Sequence, residues 1–301
     1  MYLLQWVQVP ALCAVGYLIL SGWRSLRDAE PGRAFSDRLA VLISPRILCG
    51  VTAYLALGLF HGTFTAAKTM MVDLPPLAWD WALADIDAAL HGGDAWRLIP
   101  LMRPLTRALQ WIYYPAWLLT LTGVSFYVSV FAPDDLRRQY FKTFLFCWIV
   151  LGNLVALAFL SGGPVYYEAL TGSGRFAPLT DYLGFSQGLP WSSVDVSNRL
   201  WLVHLAGDSA LGSGISAFPS LHLAMATLWL VTLRRLWPLL HWPMVGLVVA
   251  IGIGSVHLGW HYAIDGYFSI AVTLTAWWSF GARVRWQRPA RWLPISRKSL
   301  S

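Results

Sequence analysis

Seven long apolar stretches run through this 301-residue chain, and they constrain its fold more than any other feature. A helix needs about 20 mostly apolar residues to cross the hydrocarbon core of a bilayer. Only 12% of the residues are charged, about half the share of a typical water-soluble domain. The sequence therefore predicts an all-α integral membrane protein with about seven transmembrane helices, of which the fifth and sixth are short. The predicted spans are Leu3 to Leu20, Ile47 to Ala67, Ala108 to Ala132, Thr143 to Leu160, Phe218 to Leu233, Trp242 to Leu258 and Ala263 to Phe280.

The chain shows no linker or internal repeat that would indicate a second unit. We therefore expect a single membrane domain over residues 1–301. Within it, residues 1–46 form an N-terminal helix and a cytoplasmic loop, residues 47–282 form the main helical bundle, and residues 283–301 form a basic cytoplasmic tail.

The net charge of +7 reflects membrane topology rather than nucleic-acid binding, because the cations lie between apolar runs instead of on one aqueous face. If the N-terminus is outside, sixteen of the 22 Lys and Arg residues fall in the connections on the inner side. The positive-inside rule then favours an N-out, C-in orientation.

Two outer connections are longer than a simple turn. Residues Trp79 to Leu90 have apolar side chains at helical spacing with acids on the other side, which predicts an amphipathic helix lying flat on the membrane. The alternative is a solvated loop with one helical turn. The stretch from Ser161 to Ser216 is rich in Gly, Pro, Ser and Tyr, and its length favours a lid or headgroup-binding loop.

The first polar cluster precedes the fifth span and reads Gly-Ile-Ser-Ala-Phe-Pro-Ser-Leu-His over residues 214–222. Pro219 suits the first position of a helix, which would place Ser220 and His222 in the opening turn. Free backbone N–H groups and the helix dipole favour an anion there. A phosphate group is the natural ligand for such a site.

The second cluster forms the short turn between the sixth and seventh spans and contains His257, His261 and Asp265. Asp265 follows His261 by one helical turn and can accept a ring N–H from it. This bond would fix the tautomer and make the other ring nitrogen more nucleophilic. Each His alone is equally well explained as an interface residue, but the two clusters together favour a reactive site.

The amino-acid sequences of these clusters resemble the second and third signature motifs of the type 2 phosphatidic acid phosphatase superfamily. Phe218-Pro219-Ser220-Leu221-His222 and His261-Tyr262-Ala263-Ile264-Asp265 carry the resemblance, which is closest to the inositol phosphorylceramide synthase-like branch. Residues 161–167, Ser-Gly-Gly-Pro-Val-Tyr-Tyr, add a weaker match. The resemblance implies a six-helix bundle preceded here by one extra N-terminal helix, with the active site at the periplasmic or lumenal face.

The resemblance also implies roles for individual residues. His261 would attack phosphorus and carry a covalent intermediate, Asp265 would orient it, and His222 would act as the acid and then the base. No cofactor or metal is implied, and the partners are a phospholipid donor, a lipid acceptor and the bilayer. The substrate- and phosphate-binding candidates are Ser220, Phe218, Pro219, Arg175, His257 and Tyr262.

The sequence departs from the phosphatase branch in its cations. Gly254 and Ser255 occupy the positions of a Ser-Arg pair, and the phosphatase motif of a Lys followed after six residues by Arg-Pro is missing; Arg97 and Arg103-Pro104 only half imitate it. A phosphomonoester carries nearly two charges and needs more cations than a diester. The shortage favours transfer of a phospho-headgroup, such as inositol phosphate, over monoester hydrolysis.

Several alternatives stay open on the sequence alone. A lipid phosphate phosphatase would share these residues, and a non-catalytic scaffold or transporter would keep only their remnants. His257, His261 and Asp265 would also suit a two-His-one-carboxylate metal site, which we favour less. The aromatic cluster Trp111, Tyr113, Tyr114 and Trp117 is expected to be an interface belt.

Overall fold

The computed structural model describes residues 2–71, 77–98, 100–206 and 214–281, and within these ranges the chain is helical with no strand. Short 3-10 or π-helical turns join or extend several of the helices. The α-helices are α1 Tyr2–Ser25, α2 Pro31–Leu42, α3 Pro45–Met71, α4 Asp80–His91, α5 Thr106–Trp111, α6 Trp117–Phe131, α7 Asp134–Phe146, α8 Ala156–Ala158, α9 Tyr167–Thr171, α10 Ala177–Leu183, α11 Ser193–Leu205, α12 Leu221–Leu236, α13 His241–His257 and α14 Ala263–Gly281.

Most of each predicted span is helical in the structure, and among the described residues five helices are long and apolar enough to cross a membrane. The π-helical segments Ile112–Ala116 and Cys147–Val155 make two of these spans continuous. The five are Trp6–Ser25, Pro45–Met70, Arg103–Phe131, Asp134–Ala158 and Pro238–His257. The all-α membrane fold is thereby confirmed.

The two remaining predicted spans, α12 and α14, do not reach the same length and hydropathy. Helix α12 has 16 residues, about 24 Å of helix against a hydrocarbon core of about 30 Å. The prediction that the sixth span is short is wrong, because the turn Pro238–Leu240 extends α13 to 20 residues. The predicted basic tail at 283–301 lies outside the described residues.

Helix α12 lies at the centre of the bundle and packs against α6, α7, α13 and α14. Its inner residues Ala224, Met225, Leu228 and Trp229 are fully buried. A helix whose sides are mostly buried in protein does not need the length of a helix that faces lipid. Helix α12 reaches the surface in its last turn, where Arg234 and Arg235 are exposed.

A cap covers the end of the bundle where α12 and α14 begin. It consists of residues 77–98 and 161–205, and it contains α4, α9, α10 and α11. Its own apolar cluster joins it to the bundle. That cluster includes Leu83, Tyr167, Phe176, Leu179, Phe218 and Tyr262.

Helices α3 and α6 approach closely at Gly50. A Cβ atom at this position would lie 2.8 Å from both the Ser129 carbonyl oxygen and the Val130 Cα. Small residues permit such backbone contact between membrane helices. Gly62, on the same helix, has open space where a Cβ would be.

We expect Gly50→Ala to lower thermal stability in detergent, because the backbone of α6 cannot move aside as a side chain would. Overpacking of this kind costs about 1–3 kcal/mol. Gly62→Ala is the control and should be neutral or slightly stabilising, since Ala favours helix over Gly by about 0.5–1 kcal/mol. Equal melting temperatures for the two variants would contradict the close approach.

Candidate active site

The two polar clusters of the sequence meet at the capped end of the bundle. Ser220 is the N-cap of α12, and its Oγ accepts a hydrogen bond from the Leu223 N–H at 3.4 Å. The same Oγ lies 3.2 Å from His261 Nε2. The Ser220 N–H also donates to the Asp265 carbonyl at 3.4 Å. The start of α12 is thus joined directly to the start of α14.

The prediction that Pro219 occupies the first helical position is wrong. Helix α12 begins at Leu221, so Pro219 precedes the N-cap and His222 is the second helical residue. Ser220 takes the cap because its side chain can accept a first-turn N–H, which Pro cannot do. The Phe218–Pro219 peptide bond is cis.

The His261 ring is held by the buried carboxylate of Asp265. Nδ1 of His261 lies 3.1 Å from Asp265 Oδ2, and the Tyr262 N–H donates to the same oxygen at 3.2 Å. A carboxylate at Nδ1 keeps the proton there. Nε2 is then unprotonated, as a nucleophile requires, and its lone pair faces the Ser220 hydroxyl.

The backbone of the turn around His261 is fixed by the last residues of α13. The Ser255 carbonyl accepts the N–H groups of Trp260 and His261 at 3.0 and 3.1 Å. The Ser255 hydroxyl donates back to the Gly252 carbonyl at 2.8 Å. Ser255, at the position that holds Arg in the phosphatase branch, therefore supplies no positive charge. Its hydroxyl is bonded to a carbonyl of its own helix.

His222 lies between two aromatic side chains. Its ring stacks on Tyr113 with centroids 4.1 Å apart and a 13° interplanar angle, and the Trp117 centroid is 4.3 Å away. Trp117 Nε1 donates to the His222 carbonyl at 3.1 Å. The interpretation of Tyr113 and Trp117 as an interface belt is wrong, because both are buried against His222.

Sequence reasoning missed Lys68, near the end of α3. Its side chain interacts electrostatically with His222, which in turn interacts with His261. Among the described residues, no carboxylate forms an ion pair with this ammonium group. A signal existed in the spacing, since Pro75-Pro76 follows Lys68 after six residues. This spacing resembles that of the phosphatase motif, with Pro in place of its Arg.

Asp80 is a second residue that the sequence did not reveal. Its Oδ1 accepts hydrogen bonds from the Gly163 N–H and the Tyr262 hydroxyl, and its Oδ2 accepts the Gly162 N–H, all at 2.8 Å. Burial raises the pKa of this carboxyl, while those three donors oppose the shift. Asp80 thereby ties the 161–167 loop to the residue after His261.

Asp87, on the same helix α4, makes a similar hydrogen bond to the first turn of α14. It follows Asp80 by two helical turns, and its Oδ1 accepts the Ile264 N–H of α14 at 3.0 Å. The prediction that the acids of this helix face away from its apolar side is wrong for both residues, which are 1% and 4% exposed. The seven-residue spacing places them on one face, and that face covers α14.

Two predicted ligand-binding residues serve in packing instead of lining the cluster around His261. The Tyr262 ring is buried against Phe176, with its hydroxyl on Asp80. Burial and the Asp80 carboxylate raise the pKa of Tyr262, so the phenol remains a donor. Phe218 packs on Phe159 and Phe268.

His257 and Arg175 are directed to other partners. His257 Nε2 lies 2.8 Å from Thr106 Oγ1, so the structure does not bring it to Asp265. Arg175 forms ion pairs with Asp85 at 2.6 Å and Asp94 at 2.7 Å. Arg175 thus links the outer loop to the α4 region. The described residues contain no group of three His, Cys, Asp or Glu side chains arranged to hold a metal ion.

Comparison with known proteins gives one match. The family model of the PAP2 superfamily matches residues 82–279, about two thirds of the chain. No curated protein and no solved structure matches. The match covers both clusters and does not separate the inositol phosphorylceramide synthase-like branch from the others. With His261, Asp265, Ser220 and His222 assembled at one end of a helical bundle, the chain belongs to the PAP2 superfamily of lipid phosphoester phosphatases and phosphotransferases.

Proposed function

We propose that this protein transfers a phospho-headgroup from a phospholipid to the hydroxyl of a second lipid, through a phosphohistidine at His261. The observation that carries the proposal is the His261 geometry: Nδ1 is bound to Asp265 and Nε2 faces Ser220 at 3.2 Å. A phosphate oxygen that displaced the Ser220 hydroxyl contact would bring phosphorus next to this nitrogen.

In the first half-reaction, Nε2 of His261 attacks phosphorus while the bond to the departing lipid oxygen breaks. The negative charge of the bound donor phosphate would favour the protonated form of His222, which donates a proton to that oxygen and releases the lipid alcohol. The developing charge on His261 is stabilised by the Asp265 carboxylate. The headgroup remains joined to His261 as a phosphodiester-like adduct.

In the second half-reaction, the hydroxyl of the acceptor lipid loses its proton to His222 and attacks phosphorus. The bond to Nε2 breaks, and His261 returns to its neutral form. One phosphodiester is consumed and one is formed, so the exchange needs neither water nor an external energy source. His222 ends each cycle protonated, ready for the next donor.

The number of cations supports a diester substrate. Lys68 interacts with His222, while Ser255 stands where the phosphatase branch has Arg and Arg175 is paired with two carboxylates. A diester carries one negative charge, which one ammonium group can match. Hydrolysis of a lipid phosphomonoester remains the second candidate, because the same His pair would accept water as the final nucleophile.

Replacement of the nucleophile should abolish turnover. We expect His261→Ala in nanodiscs to lower kcat by about 10⁴-fold or more, as loss of a covalent nucleophile does elsewhere. The assay uses a labelled phosphodiester donor with and without ceramide or diacylglycerol. His241→Ala is the control, because His241 lies at the opposite end of α13.

The products of this assay separate the candidates. A labelled lipid product that forms only when the acceptor is present supports transfer. If the sole product is free phosphate released from monoester lipids, the proposal of transfer is wrong and hydrolysis takes its place. Lipid turnover that survives in folded His261→Ala protein would refute both enzymatic proposals.

A leaving-group test addresses His222. We expect His222→Ala to lower turnover of a lipid donor by about 10²–10⁴-fold, the usual contribution of a general acid. A p-nitrophenyl phosphodiester needs no protonation of its leaving group, so the variant should still release a first equivalent of nitrophenolate. A variant that loses this burst together with lipid turnover would contradict the acid role.

Lys68→Met should weaken the interaction with the donor phosphate. A hydrogen bond to a charged group contributes about 1.5–3 kcal/mol, so we expect kcat/KM to fall about 10- to 100-fold. Lys68→Arg should retain most of the activity. Arg97→Met is the matched control, because Arg97 is exposed and paired with Asp94. Equal effects of Lys68→Met and Arg97→Met would exclude a specific phosphate contact.

A further inference from the structure

A cleft lies between α13 and α14, beside the turn that carries His261. Its volume is about 330 Å³, within the range of about 300–1,000 Å³ found for small-molecule sites. Leu223, Ile253 and Ile270 form apolar walls. Val249 and Tyr267 belong to the same cleft and are about half exposed on the bundle surface. The cleft therefore opens sideways, on the surface that faces lipid in a membrane.

The cleft is elongated along the helix axes. On α13 its lining extends from Val248 to Val256, about 12 Å of helix. On α14 it extends from Ala263 to Ile270, about 10 Å. An acyl chain in one leaflet of a bilayer lies in the same direction as spanning helices.

The polar side chains of the cleft lie toward its capped end. His91 closes that end from α4, with Nε2 3.0 Å from the Tyr267 hydroxyl. Ser255 lies one turn from the end of α13. The deeper lining residues, from Val248 to Gly252 and at Ile270, are apolar or glycine. This gradient matches a lipid whose polar head lies at the cap and whose chain runs along α13 and α14, away from the cap.

Two lining residues are bonded directly to the reactive cluster. Ser255 accepts the backbone N–H of His261, and Leu223 donates its N–H to Ser220 Oγ. The lining of the cleft therefore lies directly beside the reactive cluster. We propose that the cleft binds one acyl chain of the phospholipid donor, an inference that rests on the proposed function.

Gly252 keeps the cleft open. A Cβ atom at Gly252 would meet the Leu223 methyl groups at 3.8 and 4.0 Å, which is ordinary contact. A larger side chain there enters the cleft without a backbone clash. Gly246, two turns away on α13, has open space and does not line the cleft. Phe at either position adds the same bulk to the same helix.

The test compares Gly252→Phe with Gly246→Phe on two donors, a dipalmitoyl phosphodiester lipid and a chain-free p-nitrophenyl phosphodiester. We expect Gly252→Phe to reduce kcat/KM at least about tenfold for the lipid and less than twofold for the chain-free donor. Gly246→Phe should change neither value by more than twofold. Equal losses on both donors, or no loss on the lipid, would overturn the acyl-chain assignment.

A binding experiment keeps the test independent of turnover. A phosphatidyl lipid with a mid-chain diazirine is photolysed in nanodiscs with each variant, and the labelled peptides are identified. We expect labelling of residues 248–256 and 263–270 to fall at least twofold in Gly252→Phe relative to Gly246→Phe. Unchanged labelling would refute the cleft assignment. Wild-type protein that binds the chain here but turns over no phosphoester would instead refute the proposed function.

Discussion

The hydrogen bonds that α4 makes with the start of α14 hold the reactive end of the molecule together. Asp87 accepts an N–H from the first turn of α14, and Asp80 joins Tyr262 to the Gly162 and Gly163 amides. Those amides and the α14 N–H groups have no partner within their own helix or loop, so leaving them buried and unpaired would be costly. The two carboxylates satisfy them and fix the backbone on which His261 depends. The cap is therefore part of the active-site scaffold rather than a loose cover.

Three ionisable side chains near the cluster, Asp265, Arg175 and Lys68, each have identifiable partners. Asp265 is fully buried, yet its Oδ2 accepts two hydrogen bonds, from His261 and Tyr262. Arg175 is bound to carboxylates of the α4 region and strengthens the cap. Lys68 then supplies the positive charge near His222. With few cations among its described residues, the proposed site would discriminate by charge, because an unmatched second negative charge is poorly tolerated in a low dielectric.

The sequence predicted features that depend on neighbours along the chain. The spans follow from local hydropathy, and the His261–Asp265 contact follows from a four-residue spacing. Predictions failed where the partner is distant: the Tyr262–Asp80 bond joins residues 182 positions apart. Amphipathic spacing assigned Asp80 and Asp87 to the water side because charged residues are usually exposed. Only the tertiary structure supplies the backbone donors that make their burial favourable. The prediction for Pro219 failed for a local reason, because the next residue, Ser220, is a better N-cap.

The surroundings of His261 also bear on whether water or a lipid completes the reaction. His222 is enclosed by Tyr113 and Trp117, and Trp260 is bound to the Tyr114 hydroxyl at 2.6 Å. Among the described residues, these aromatic rings make the two faces of the His222 ring apolar. The cleft between α13 and α14 opens on the bundle surface, where Val249 and Tyr267 are about half exposed. In the proposed function, an adduct on His261 would be shielded from solvent in such surroundings, and the hydroxyl of the acceptor lipid would reach it from the membrane. The proposal of transfer rather than hydrolysis rests on this arrangement of apolar side chains around His222 and along the cleft.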